Sequence, residues 1–285
     1  MNYLTIATTL LSAAIVGCDL SKVDPGGGAS APSVVSLRGS GGLDVPGGGG
    51  GPDGSDVVEV GPPGTLSGRI VFEGDAPLLN ALVAQGQSSV DSAICAASES
   101  IADESVQLSN DGGLANVFIY LSKPPGGEHA AADGQKVLDQ QACVFKPHAL
   151  VWRAGVPVEL KNSDKTSHNV SIVTNNVSSN SNMPPGSSSE MTFKKAETLP
   201  FKASCSIHSW MSFYALVVDH PFAAVTDPDG NFKIPDLPSG VEYTFRVWHE
   251  KGAPTGRKWK VVVNPGPEPT IVELKYARSD LPLLK

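Results

Sequence analysis

From residue 64 onward, apolar side chains recur at alternate positions in short runs broken by Gly, Pro, Asn and Asp, the pattern of half-buried strands joined by turns. Residues 66–72 and 116–121 are the first two such runs. Ala149-Leu150-Val151-Trp152 and Val156-Pro157-Val158-Glu159-Leu160 follow, separated by Arg153-Ala154-Gly155, and read as a hairpin. Val170-Ser171-Ile172-Val173 is a further strand, and the polar residues 174–189 read as a loop with no helix core. Residues 198–203 and 213–218 are strands on either side of the short segment 205–211. Beyond Pro221, residues 224–234 and 237–247 give strand, turn and strand, with Asp229-Gly230 in the tight turn. Residues 91–107, around Cys95, are the exception: polar and weakly helical. The pattern predicts an all-β fold.

The start of the chain follows other rules. Residues 4–16 are almost uncharged and too short to span a bilayer, and Ile15-Val16-Gly17-Cys18 resembles a bacterial lipobox. That resemblance implies a signal peptide over 1–17, a lipidated Cys18 and, with Asp19 next, inner-membrane retention on the periplasmic side. An uncleaved anchor and an ordinary signal peptide are the alternatives. Residues 18–62, with Gly26-Gly27-Gly28 and the glycines 48–51, cannot bury enough apolar surface to fold and read as a disordered linker. As a coil, about forty such residues reach roughly 35 Å, enough for a tethered domain to search near a membrane. The length of 285 residues leaves room for roughly two domains. A formal charge of −8 without clustered Lys and Arg argues against nucleic acid as a partner. A protein partner fits that charge better.

The densest chemistry lies in Cys205-Ser206-Ile207-His208-Ser209-Trp210-Met211, which carries a thiolate, an imidazole and a thioether at the spacing C-x2-H-x2-M. Two His and one Cys with a weak axial Met make a blue-copper centre, so one more histidine is needed. His168, where a polar stretch gives way to strand 170–173, supplies it. Together the loop and His168-Asn169 resemble the cupredoxin family, the loop spacing being most similar to its amicyanin version. The resemblance implies a Greek-key β-sandwich over 135–220 and one type 1 copper ion held by His168, Cys205, His208 and Met211. It also implies that Asn169 hydrogen-bonds to the cysteine loop, and that electrons leave through a surface-reaching edge of His208. Zinc on Cys and two His is the rival metal. A binuclear copper centre needs a second loop cysteine, which is absent. Phe145-Lys146-Pro147-His148 resembles a segment of exported cupredoxin-like proteins, which leaves His148 either near the metal or bonded to backbone. Trp210 is open to three roles: shielding copper, docking a partner, or filling the core.

Of the four cysteines, Cys18 and Cys205 are thereby assigned, leaving Cys95 and Cys143 to form a disulfide in an oxidising compartment or to remain two buried thiols. The turn Thr226-Asp227-Pro228-Asp229-Gly230-Asn231-Phe232 resembles that of carboxypeptidase regulatory-like, transthyretin-like sandwiches, whose preceding strands match 66–72 and 116–121. This implies one discontinuous sandwich from 64–123 and 221–278, with the cupredoxin inserted between its strands. No Gly-x-Ser-x-Gly elbow, His-Glu-x-x-His or phosphate loop is present, and four protein ligands leave no open metal position, so no enzyme is expected. The leading expectation is a membrane-tethered carrier exchanging single electrons with an exported cytochrome c or another redox protein. A copper-storing, delivering or sensing lipoprotein is the alternative, and an adhesion module with a degenerate loop is a third.

Overall fold

The structure, a computed structural model, describes residues 61–126, 129 and 136–284. The segments read as signal peptide, lipidation site and most of the linker lie outside the described residues. The described residues form strands β1 (Gly61–Glu73), β2 (Phe118–Leu121), β3 (Lys136–Gln141), β4 (Val144–Lys146), β5 (Ala149–Arg153) and β6 (Pro157–Asn162). Next come β7 (His168–Val173), β8 (Ser178–Met183), β9 (Ser188–Thr192), β10 (Phe201–Ser204) and β11 (Ser212–Val218). The series ends with β12 (Ala223–Val225), β13 (Asn231–Ser239), β14 (Glu242–Trp248), β15 (Arg257–Val262) and β16 (Thr270–Ala277). The fold is all-β, as the alternation predicts, and β1 starts two residues inside the stretch assigned to the linker.

These strands make four sheets. Two draw on residues 136–218, in the orders β5-β11-β10-β7-β8 and β4-β3-β6-β9. The other two, β13-β1-β16 and β12-β2-β14-β15, combine strands from 61–121 with strands from 223–277. Three apolar clusters fill the spaces between sheets. The β11 sequence shows how: Phe213, Ala215 and Val217 point into the cluster around Trp152, while Leu216 and Val218 join Phe118, Tyr120 and Trp248 on the opposite face. A strand buried on both faces needs a continuous apolar run rather than alternation, and Phe213 to Val218 is one. β2 does the same, with Ile119 and Leu121 packed toward Leu66 and Phe245. The pairings make an early strand indispensable to late ones, because β1 lies between β13 and β16. Expressed alone, residues 221–285 lack both β1 and β2 and are expected to show no cooperative unfolding transition by circular dichroism; a sharp one contradicts this assembly.

Three local expectations are corrected. β5 and β6 are not a hairpin: β5 pairs with β11 and β6 with β3 and β9, in different sheets. Gly155, at φ 81°, turns the chain from one sheet to the other, and its amide bonds to the Phe193 carbonyl. Residues 174–189 are not a loop, since β8 pairs with β7 along its whole length and β9 with β6. Their Ser and Asn side chains, unfavourable in strands by propensity, face solvent on edge strands where pairing to a neighbour decides the conformation.

Residues 91–107 form no helix. Asp91 and Ala96 adopt φ of 49° and 53°, left-handed values that a right-handed helix excludes. The Cys95–Cys143 disulfide is formed, with Cα atoms 5.4 Å apart. Val83, Cys95, Ala96 and Ile101 pack with Leu138, Phe145 and Trp152. Residues 83–101 are therefore a strap across the 136–218 sheets, held by a covalent bond and an apolar underside.

Candidate metal centre

The seven residues 205–211 connect β10 to β11, whose pairing ends at Ser204 opposite Ser212. The loop is closed by its own backbone: the Cys205 amide donates to the Met211 carbonyl at 3.1 Å, and the Met211 amide to the His208 carbonyl at 2.9 Å. On the other side of β10, β7 pairs through Ile172 and Ser171 and carries His168 and Asn169 at its start. Adjacent strands thus bring the loop and His168 together.

His168, Cys205 and His208 are buried, and their ligand atoms lie within 4.8 Å of one another. The two Nδ1 atoms face each other at 3.0 Å, and Cys205 Sγ is 3.8 Å from His208 Nδ1. Met211 is buried in the same loop. Asn169 Oδ1 accepts from the Cys205 thiol at 3.2 Å and from the Ser206 amide at 2.8 Å. Its own amide donates to Asn180 Oδ1 and Ser206 Oγ, so the side chain cannot rotate away without losing four bonds.

Both imidazoles turn their other nitrogen to a carboxylate. His168 Nε2 lies 2.9 Å from Asp164 Oδ2, and His208 Nε2 lies 3.0 Å from Asp91 Oδ2. A carboxylate at Nε2 keeps the proton there and leaves the Nδ1 lone pair for a metal. Asp164 is in turn held by the Ala142 and Cys143 amides at 2.7 and 2.8 Å. Those two residues have φ of 57° and 56° and make the two-residue turn between β3 and β4. Consecutive positive φ belongs to the tight hairpin turn usually occupied by Asn-Gly, and here it aims two N–H groups at one carboxylate. Asp91 accepts from the Thr166 hydroxyl at 2.6 Å.

The electrostatics follow. Burial alone would raise the Cys205 thiol, but hydrogen bonds from His168, from the backbone of Asn169 and from His208 override it and bring the pKa to about 6. Burial would lower the His168 imidazolium, yet Asp164 and Cys205 lift it to about 9. The site is thus tuned toward a thiolate. Asp164 is pushed up by burial but held below the usual carboxylate range by His168 and the two amides. Thr166 first, then His208, keep Asp91 low as well.

Cys143, Asp164 and His168 also cluster, but Cys143 is consumed by the disulfide and Asp164 by its three bonds, so this grouping is a scaffold rather than a second metal site. His148 is outside the ligand group and is not simply bonded to backbone. Its Nε2 lies 2.5 Å from Glu250 Oε1 and its Nδ1 3.6 Å from Glu104 Oε2, joining β5 to two distant segments. Trp210 is half-buried, packs its ring 5.1 Å from that of His208 and donates to the Cys143 carbonyl at 3.0 Å. It braces the loop against the disulfide.

The surface-reaching edge of His208 is not observed: the residue is 0% exposed, because Asp91 covers Nε2 and Trp210 packs on the ring. Sequence reasoning missed Asp91, Thr166 and Asp164. Asp164 stands four residues before His168, a visible signal; for Asp91 the only hint is its place four residues before Cys95.

No protein-family model matches the chain, and no curated protein matches it. Among solved structures, it is similar to a Cu(I) variant of amicyanin at 22% identity and TM-score 0.28, over 31% of this chain and 86% of that one. It is also similar to a purple cupredoxin from Nitrosopumilus maritimus at 24% identity and TM-score 0.25, over 30% of this chain and 100% of that one. A copper-containing nitrite reductase from Thermus scotoductus SA-01 is similar at 20% identity and TM-score 0.27, over 34% of this chain and 25% of that one.

Proposed function

We propose that this chain is a type 1 copper electron-transfer protein, with His168, Cys205 and His208 as the main ligands and Met211 as the weak axial one. The observation that carries the reading is the convergence of two Nδ1 atoms and one thiolate-prone Sγ in a buried site whose Nε2 atoms are both engaged by carboxylates. The donor set suits copper in both oxidation states: thiolate and imidazole serve Cu(II), and thioether and thiolate serve Cu(I). Copper, when bound, supplies the one-electron Cu(I)/Cu(II) couple.

The protein's share is to keep that site fixed. Hydrogen bonds lock both rings and the cysteine, so the ligands move little between oxidation states and the reorganisation cost of a transfer stays small. The Asn169 backbone N–H, donating to the Cys205 sulfur, draws charge off it, a lever on reduction potential. Residues 64–123 and 221–278 serve as a regulatory-like sandwich enclosing the cupredoxin. Lipid on Cys18 and the linker 18–62 hold both at the periplasmic side of a bacterial membrane, within reach of an exported cytochrome c or similar redox protein. The four ligands fill the coordination sphere, which fits a carrier better than a catalyst.

Titration of the chain with Cu(II) tests this. The expected result is saturation at one ion, with an intense thiolate charge-transfer band that ascorbate bleaches and an oxidant restores. Silent retention of Cu(I) that resists oxidation indicates storage or delivery instead.

The protonation of the site adds a pH prediction. Between the Cys205 value near 6 and the His168 value near 9, the pair holds one proton, on His168. A metal needs both groups deprotonated. From these two groups alone, binding at pH 7.5 releases about one proton, and affinity weakens by about tenfold per pH unit falling from 9 to 6 and more steeply below. Calorimetry in buffers of differing ionisation enthalpy measures this; proton release of zero contradicts it.

A further inference from the structure

The strap supplies a carboxylate to the copper ligand set from outside the sheets that carry it. Asp91 lies 117 positions before His208 in sequence and touches none of the β7, β10 or β11 backbone pairing that brings the ligands together. It is nonetheless fixed at several points. Its carbonyl accepts from the Ile94 and Cys95 amides at 2.8 Å each, its carboxylate accepts from Thr166, and the adjoining disulfide ties the strap to Cys143. Its φ of 49° is one that most residues avoid and that Asp tolerates, and such conformations persist where the surroundings over-determine them. Cys143, at the far end of the disulfide, donates its amide to Asp164, which holds the other histidine. One covalent bond therefore links the supports of both imidazoles.

We propose that Asp91 is a positioning residue for His208, and that the strap 83–101 shields the imidazole edge which would otherwise open to solvent. The proposal rests on the copper reading above. Asp91 keeps the His208 proton on Nε2, holds the ring so that Nδ1 faces His168 and Cys205, and places a negative charge at the outer end of the imidazole, which favours the more highly charged Cu(II). Its carboxylate, 37% exposed, is the group that meets water in place of the ring.

The test compares Cu(II) affinity and reduction potential of four full-length proteins. Asp91→Gly removes the carboxylate at no backbone cost, since glycine accepts positive φ. Asp91→Asn keeps an acceptor and an allowed backbone but loses the charge. Glu99→Gln, an exposed acid on the same strap, controls for general charge. Asp91→Gly is expected to weaken Cu(II) binding by about 10- to 100-fold, the usual effect of losing a carboxylate partner of a ligand histidine. Its potential shifts positive. Asp91→Asn is expected to lie between Asp91→Gly and the parent, and Glu99→Gln to match the parent. Should Asp91→Gly fail to fold, Thr166→Val decides, because it removes the hydrogen bond that orients the Asp91 carboxylate, leaves the strap sequence unchanged and is expected to weaken binding in the same direction. Parental affinity and potential in Asp91→Gly, or in Thr166→Val where that variant decides, overturns the proposal while leaving the copper reading intact. A parent protein that shows no thiolate charge-transfer band on loading with Cu(II) overturns the copper reading itself.

Discussion

Replacing Cys205 with serine is expected to abolish the intense visible absorption of the copper-loaded protein and to lower Cu(II) affinity more than any other single ligand change. The reason is electronic as well as geometric. Sulfur is the donor whose orbitals mix with copper to give strong charge transfer, and a hydroxyl neither ionises near neutral pH nor shares charge in that way. Serine also makes no use of the donors that bring the Cys205 thiol to about 6. The fold should survive, because the hydroxyl is smaller and Asn169 can accept from it. Absorption and metal stoichiometry measured on the folded variant check this, and an unchanged band contradicts the assignment of Cys205.

Removal of the disulfide has the second largest expected effect. Cys95 and Cys143 are 48 positions apart, and opening a loop of that size costs about 4 kcal/mol by chain entropy, within a usual range of about 2–5 kcal/mol. The double variant Cys95→Ser, Cys143→Ser should therefore unfold at markedly lower denaturant concentration. Loss of stability alone would suit any disulfide. The distinctive expectation concerns the site: with the strap freed, Asp91 leaves His208, and the turn whose amides hold Asp164 loses its anchor. Metal affinity should fall even under conditions where the variant stays folded. Affinity equal to the parent's would confine the disulfide to a stabilising role.

Much of this site was legible because its chemistry is local. Cys205, His208 and Met211 share seven residues, and His168 with Asn169 heads a strand whose apolar pattern is plain, so spacing together with the cupredoxin resemblance names them as candidates, and the structure brings His168, Cys205 and His208 together. The Cys95–Cys143 bridge was legible by counting. What escaped was long-range or against propensity. β8 and β9 consist mostly of Ser, Asn and Glu, and only the unfilled hydrogen bonds of β7 and β6 make strands of them. The break at Arg153-Ala154-Gly155 looks the same whether the chain doubles back in one sheet or crosses to another; the packing of Trp152 against Phe193 and Phe213 decides for crossing. The strap reads as weakly helical because its polar composition hides the left-handed backbone at Asp91 and Ala96. Nothing in the sequence therefore pairs its carboxylate with His208, and a surface-reaching ring is the expectation that results.

His208 is covered by Asp91 at Nε2 and by Trp210 on its ring, whereas Ser206, Ile207 and Ser209 of the same loop are exposed.

The most direct measurement of the central claim is the paired absorption and EPR spectrum of the protein loaded with one equivalent of Cu(II). An intense thiolate-to-copper band is expected together with an EPR signal of narrow copper hyperfine splitting, both lost on ascorbate reduction and recovered on reoxidation. A tetragonal Cu(II) signal without the band, or selective retention of zinc in its place, would contradict it.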